Sequence, residues 1–294
     1  MLDTVPLQSR FLDHADHYAR WSGLGIGIVA AQQLVTMDSG DITMPLVFAI
    51  TAFGLCAVGG VLLGDALTLR PQEAVRTASL APRLVRDQVP PRMAPLLLLQ
   101  AASLVTLLVI GAATASSDPD RIGRAGRVIT VTCEGMRTSL GPWPGLYYSG
   151  PMFAALAVGT PVCVWAVRRI AHGPGDDQQR RDRAWAITGA WGLLVSSQVL
   201  LVVLMIFVAL TEKACAGPLG AATIVVICPL GLLSLFTFGW SLVTVVAPRA
   251  VDDEAADDEA ADDEAADDGA ADDGAADDGA ADDGAADDGA FDDE

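Results

Sequence analysis

The most reactive side chains in this sequence are five cysteines, and their surroundings divide them. Cys56, Cys163 and Cys228 stand in long apolar runs, where a thiol acts as a small hydrophobe. Cys133 and Cys215 stand in polar segments between such runs. If both segments face an oxidising compartment, a disulfide between Cys133 and Cys215 is expected. His14 and His17 alternate with Asp13 and Asp16 and could touch a metal from one side of an amphipathic helix. Two histidines three apart with no further ligand fit a solvated helix better, so no metal is assigned. The sequence has no phosphate-cradling glycine loop, zinc-protease helix or nucleophile elbow. No catalytic residue and no cofactor is therefore assigned, and an enzyme is not expected.

The remaining candidates are polar groups inside apolar runs, each costly enough in hydrocarbon to be a default site hypothesis. They are Gln32, Gln33, Gln100 and Gln198, accompanied by Ser196 and Ser197, and one acid, Asp65. The amides could meet in the interior of a helix bundle, where hydrogen bonds between helices are the simplest use for them. Asp65 lies at the end of its run, five residues before Arg70, and is read as reaching headgroups or water rather than relaying protons.

Six runs are long and apolar enough to hold these residues within a bilayer core of about 30 Å. They cover about 21–37, 45–67, 94–115, 149–167, 184–210 and 219–247. The continuous runs lack the period of two that a β-barrel requires, so the expected fold is all-α, a six-helix transmembrane bundle. The first run is the weakest because Gln32 and Gln33 interrupt it. Pro161 in the fourth and Pro229 in the sixth each remove a backbone donor and are expected to bend their helices. Gly23-x-x-x-Gly27 and Gly60-x-x-x-Gly64 mark grooves through which the first two helices could approach as antiparallel neighbours. The loops of the two halves do not match in length, so the inverted repeat of many transporters is not visible.

Arginine placement sets the orientation, because short basic loops stay on the cytoplasmic side. With the N-terminus inside, residues 1–20, the inner loops and Arg249 carry 13 of the 18 bases, the largest groups being Arg76 to Arg92 and Arg168 to Arg183. Arg121, Arg124, Arg127, Arg137 and Lys213 fall outside. Both termini are then cytoplasmic; without the first span, only the N-terminus would change side. Residues 1–20 lack the basic start and apolar run of a cleavable signal. Tyr18, Trp21, Trp143, Tyr147, Tyr148, Trp165, Trp185 and Trp191 sit where the headgroup boundary is expected.

Between the third and fourth runs, residues 116–148 form the longest loop before the tail. Residues 128–132 are β-branched enough for a short strand, and Gly141-Pro142-Trp143-Pro144-Gly145 forces a turn. A small folded lid is one reading of this loop. The preferred one is a segment lying on anionic headgroups through Arg121, Arg124 and Arg127.

The formal net charge of -19 belongs to the end of the chain. From Asp252 onward a five-residue unit, Asp-Asp-Glu-Ala-Ala and then Asp-Asp-Gly-Ala-Ala, holds 22 of the 37 acids and no base. The remainder has 15 acids against 18 bases, a net of +3. A period of five matches neither helix nor strand, and with Phe291 as its one aromatic residue the segment cannot offset its ordering entropy. Residues 248–294 are expected to be a disordered, extended acidic tail, in loose contact at most with cations or a basic segment.

Of the 18 bases, 17 are arginine and one is Lys213, in a chain rich in Ala, Gly and Val. With stretches such as Arg76-Thr77-Ala78-Ser79-Leu80-Ala81-Pro82-Arg83, the composition resembles uncharacterised multi-pass integral membrane proteins of actinobacteria. That resemblance implies a bacterial cytoplasmic membrane and carries no activity with it. The functional expectation is a non-enzymatic membrane component, a subunit or partner of a membrane complex whose partners are the lipid bilayer and another membrane protein, not nucleic acid. The alternative is a small-solute permease with a path between bent helices four and six, past Gln100 and Gln198.

Overall fold

The computed structural model describes residues 15–36, 42–67, 93–116, 126–133, 136–171, 177–211 and 217–246. They form α1 (Ala15–Thr36), α2 (Thr43–Leu67), α3 (Met93–Thr114), β1 (Ile129–Cys133), β2 (Met136–Leu140), α4 (Leu146–Ala171), α5 (Asp177–Thr211) and α6 (Gly217–Val246). Helix is the required state for apolar runs of this length, because it satisfies every backbone polar group within the segment. The helices begin earlier than hydropathy marks at α1 and α5. Hydropathy registers only the apolar stretch, whereas Gln178 to Arg181 are good helix formers that continue the same hydrogen bonds into the polar zone. The acidic tail and the loop bases from Arg70 to Arg92 lie outside the described residues.

Five of the helices, α2 to α6, are long and apolar enough to cross a membrane. The sixth is α1, whose 22 residues match the length but not the apolarity of its neighbours. Of the six expected spans, five meet the length and apolarity needed to cross. Gln32, Gln33 and Arg20 dilute α1, as the weakness of its run in the sequence implied.

α5 is the hub. Ala184, Ala186, Ile187, Ala190, Leu193, Leu194, Val195, Val199 and Val202 are all buried along it, as befits a helix apolar on every side. Leu194 lodges between α2 and α4: a Cβ at Gly54 would come within 2.9 Å of the Leu194 Cα, and one at Gly159 within 2.5 Å of its Cδ2. Gly192 instead faces Ser241 on α6. Two residues of an α-helix differ by about 200°, so α4 and α6 pack on opposite faces of α5. α1 joins through α2, with Gly23 against Gly60 and Gly27 against Cys56 and Phe53. Two apolar clusters fill the bundle, one beneath the β-hairpin around Leu104, Leu108, Met152 and Val199, the other toward the opposite end around Ala57, Val61, Ile187 and Leu193.

Where the sequence indicated one short strand, the structure has a hairpin, with Ile129 opposite Leu140 and Cys133 opposite Met136. It is seated on the bundle. Trp143 is buried, and its Nε1 donates to the Gly111 carbonyl at 3.2 Å and to Thr114 Oγ1 at 3.1 Å, at the end of α3. Ser116 Oγ accepts from the Thr130 amide at 2.8 Å. Arg127, expected on the headgroups, stacks over the Tyr147 ring at 3.7 Å; Arg121 and Arg124 lie outside the described residues. Trp143→Phe keeps the ring and removes the donor. It is expected to cost about 1 kcal/mol and to accelerate limited proteolysis of the hairpin, which peptide mapping would read.

Candidate functional site

The polar groups that the sequence singled out separate into three places. Gln32 and Gln33 are exposed on α1 and do not enter the interior. Gln100 and Gln198 are both fully buried, yet on different sides of the hub. Gln100, on α3, donates from Nε2 to Thr237 Oγ1 of α6 at 2.7 Å, and the hydroxyl lies 3.0 Å from Oε1. Thr237 also donates into its own helix, to the carbonyls of Leu233 and Ser234. Gln198 is one turn beyond Leu194 and so shares the α2- and α4-facing side of α5. Neither atom of its amide has a hydrogen-bond partner among the described residues, and the same holds for the buried Ser149 hydroxyl on α4. Ser196 and Ser197 donate to the carbonyls of Gly192 and Leu194 and form no link between helices.

Asp65 does not end in water or headgroups. Its Oδ1 lies 3.3 Å from Arg183 Nη1 of α5, and each side chain is 15% exposed. This ion pair ties α2 to α5 at the end of the bundle remote from the hairpin. Arg20 and Arg180 are buried at 8% and 5% exposure. Both counted in the sequence as ends of loops, but each sits on a packed helix.

Pro161 and Pro229 both lie on exposed surfaces, within helices that run through them unbroken. With α5 filling the space between α4 and α6, a direct route between those helices past both amides is closed. Among the described residues Cys56, Cys163 and Cys228 are free, and no disulfide is present. The expected Cys133–Cys215 pair falls outside that set, since Cys215 is not described. His17 Nε2 accepts from Trp21 Nε1 at 3.0 Å, while His14 is likewise not described. No group of three potential metal ligands occurs among the described residues.

Sequence reasoning marked Gln100 but missed its partner. Ser234, Thr237, Ser241 and Thr244 are all buried on α6, and their spacing of three and four residues puts them on one face. That spacing was a legible signal. A double-mutant cycle on Gln100→Leu and Thr237→Val is expected to show a coupling of about 1 kcal/mol in reversible unfolding from detergent, with the double variant less impaired than the sum of the singles.

The chain matches no protein-family model, no curated protein and no solved structure. Its class rests on the helices themselves: five apolar helices of membrane-crossing length, one of them the buried hub, support a multi-pass membrane protein.

Proposed function

We propose that this chain is a non-enzymatic component of a bacterial cytoplasmic membrane, acting as a subunit or partner of a larger membrane complex. The observation that carries the reading is the packing of the interior. The Gln100 amide is engaged by Thr237, Leu194 fills the space between Gly54 and Gly159, and α5 occupies the route between α4 and α6. A solute carrier needs room at mid-depth; an assembly component needs a rigid body with features at its ends. The seated hairpin at one end and the Asp65–Arg183 pair at the other fit the second need.

In this reading α1 is a sixth span. Its contacts run antiparallel along α2, from Gly23 at Gly60 to Gly27 at Cys56 and Phe53, so it reaches the same depth as a helix apolar enough to cross. Six spans and the arginine distribution put both termini in the cytoplasm.

Purification of the tagged full chain in mild detergent, with quantitative mass spectrometry of what travels with it, tests the proposal. A membrane protein in fixed ratio to the chain is the expected result. A solitary chain that conducts small solutes when reconstituted in vesicles would overturn it in favour of the permease.

A further inference from the structure

Two side-chain amides on α1 stand where lipid would surround them. Gln32 and Gln33 are exposed, and neither side chain has a hydrogen-bond partner among the described residues. Their depth follows from the antiparallel register of α1 on α2, in which Gly23 meets Gly60 and Gly27 meets Cys56. Continued along both helices, that register sets Gln32 level with Thr51, about 9 Å along the axis from Pro45, where the apolar stretch of α2 begins. A glutamine side chain is too short to reach water from there. An amide in hydrocarbon is costly until another group hydrogen-bonds it. The surface around Gln32 is equally unlike a lipid face. Tyr18, Ser22, Gly25, Val29, Gln32 and Thr36 are all exposed, and their alternating steps of four and three residues place them on one seam. The exposed surfaces of α3 and α6 carry Leu98, Leu99, Val226, Leu232 and Phe236 instead. Ser22 and Thr36 donate to the carbonyls of Ala19 and Gln33 within α1, and a Cβ at Gly25 would meet nothing within 4 Å.

We propose that this seam packs against α1 of a second copy of the chain, parallel to it, with the two Gln32 amides hydrogen-bonded to each other. The inference rests on the reading of α1 as a sixth span and names a partner for the assembly, namely the chain itself. The chemistry of the amide selects that occupant. It carries donor and acceptor together, so it is its own complement. Copies inserted with the same orientation present their α1 helices in parallel, and about a two-fold axis along the membrane normal each seam residue meets its own counterpart at equal depth. Alternation of three and four residues is the spacing that keeps a seam on its partner in a helix pair, and the open notch at Gly25 lets the two backbones approach. Gly23 and Gly27, two residues to either side of Gly25 and so on the opposite face of α1, stay on α2.

A photoreactive diazirine side chain placed at Val29 of the full chain and irradiated in native membranes tests this, because its carbene inserts into whatever touches it. A cross-linked dimer of the chain is the expected product, several-fold more abundant than from the same group at Val226, which is exposed on α6. Gln32→Leu and Gly25→Ile are each expected to lower the Val29 dimer several-fold. Both positions are exposed on α1, so neither change disturbs the packing of the bundle. A cross-link to a different membrane protein overturns the pairing and leaves the chain a subunit of a complex. Adducts with acyl chains alone overturn it and leave α1 a span. Insertion of water at Val29 overturns the sixth span itself, and the pairing with it. A dimer that Gln32→Leu leaves undiminished also overturns the inference, by removing the amides from the contact.

Discussion

Gly60→Leu is expected to detach α1 from the bundle and to leave the rest folded. At this crossing no side chain can yield. A Cβ on Gly60 would stand 2.7 Å from the Gly23 Cα and 3.0 Å from the Ala19 carbonyl, and one on Gly23 would stand 2.5 Å from the Gly60 Cα and 2.9 Å from the Cys56 carbonyl. Backbone meets backbone from both sides, so relief requires the helix axes to separate, and separation removes the dispersion contacts that bind helices in a lipid environment. A leucine there is expected to cost about 3 kcal/mol, the upper part of the range for overpacking. Gly25 and Gly59 supply the control, since a Cβ at either meets nothing within 4 Å. Gly25→Ala and Gly59→Ala are expected to be neutral or stabilising by about 0.5 kcal/mol through helix propensity alone. Reversible unfolding in mixed micelles measures the stabilities, and protease sensitivity of α1 reports its release. Equal effects of Gly60→Leu and Gly59→Ala would show that the close crossing has no energetic weight.

The contrast between those glycines marks how far the sequence could be read. Gly23 and Gly60 carried a visible spacing, and the lengths of the apolar runs foretold five helices to within a turn or two, because hydrocarbon thickness and helix rise leave little choice. Partners across the bundle were another matter. Gln100 declared itself as an amide in an apolar run, but nothing in its neighbourhood names Thr237, 137 residues away. The position of Trp143 in a loop fits a headgroup anchor as well as a packed residue; only the fold reveals the carbonyl of Gly111 under its indole. β2 was missed for a related reason. Met136 to Leu140 has little strand character of its own and owes its state to pairing with β1. Arg20 and Arg180 read in the sequence as bases at the ends of loops, yet they are buried, because their helices continue past the apolar stretch.

Asp65 was misread in the same way, and its pairing leads to the second large effect. Asp65→Asn is expected to destabilise the bundle by about 2 to 3 kcal/mol, somewhat below the usual cost of breaking a fully buried ion pair because each side chain keeps some exposure. Most of that cost falls on Arg183. Its Nη1 loses the carboxylate, while its Nη2 is already buried without an acceptor, so a guanidinium charge remains with little to compensate it. Arg183→Gln is the milder change, because the amide that replaces the guanidinium can still donate a hydrogen bond to the Asp65 carboxylate. The double variant Asp65→Asn, Arg183→Gln removes both charges together and is expected to recover most of the loss, since the pair's own attraction is largely offset by the desolvation it required. The exchange Asp65→Arg, Arg183→Asp is expected to recover less, because the short carboxylate and the long guanidinium then start from the opposite helices and the part-buried pair must rebuild its geometry. Unfolding of the four variants in mixed micelles at low and high salt checks the scheme. Strict additivity of the two single changes would mean that Asp65 and Arg183 act separately, and that α2 is held against α5 by apolar packing alone.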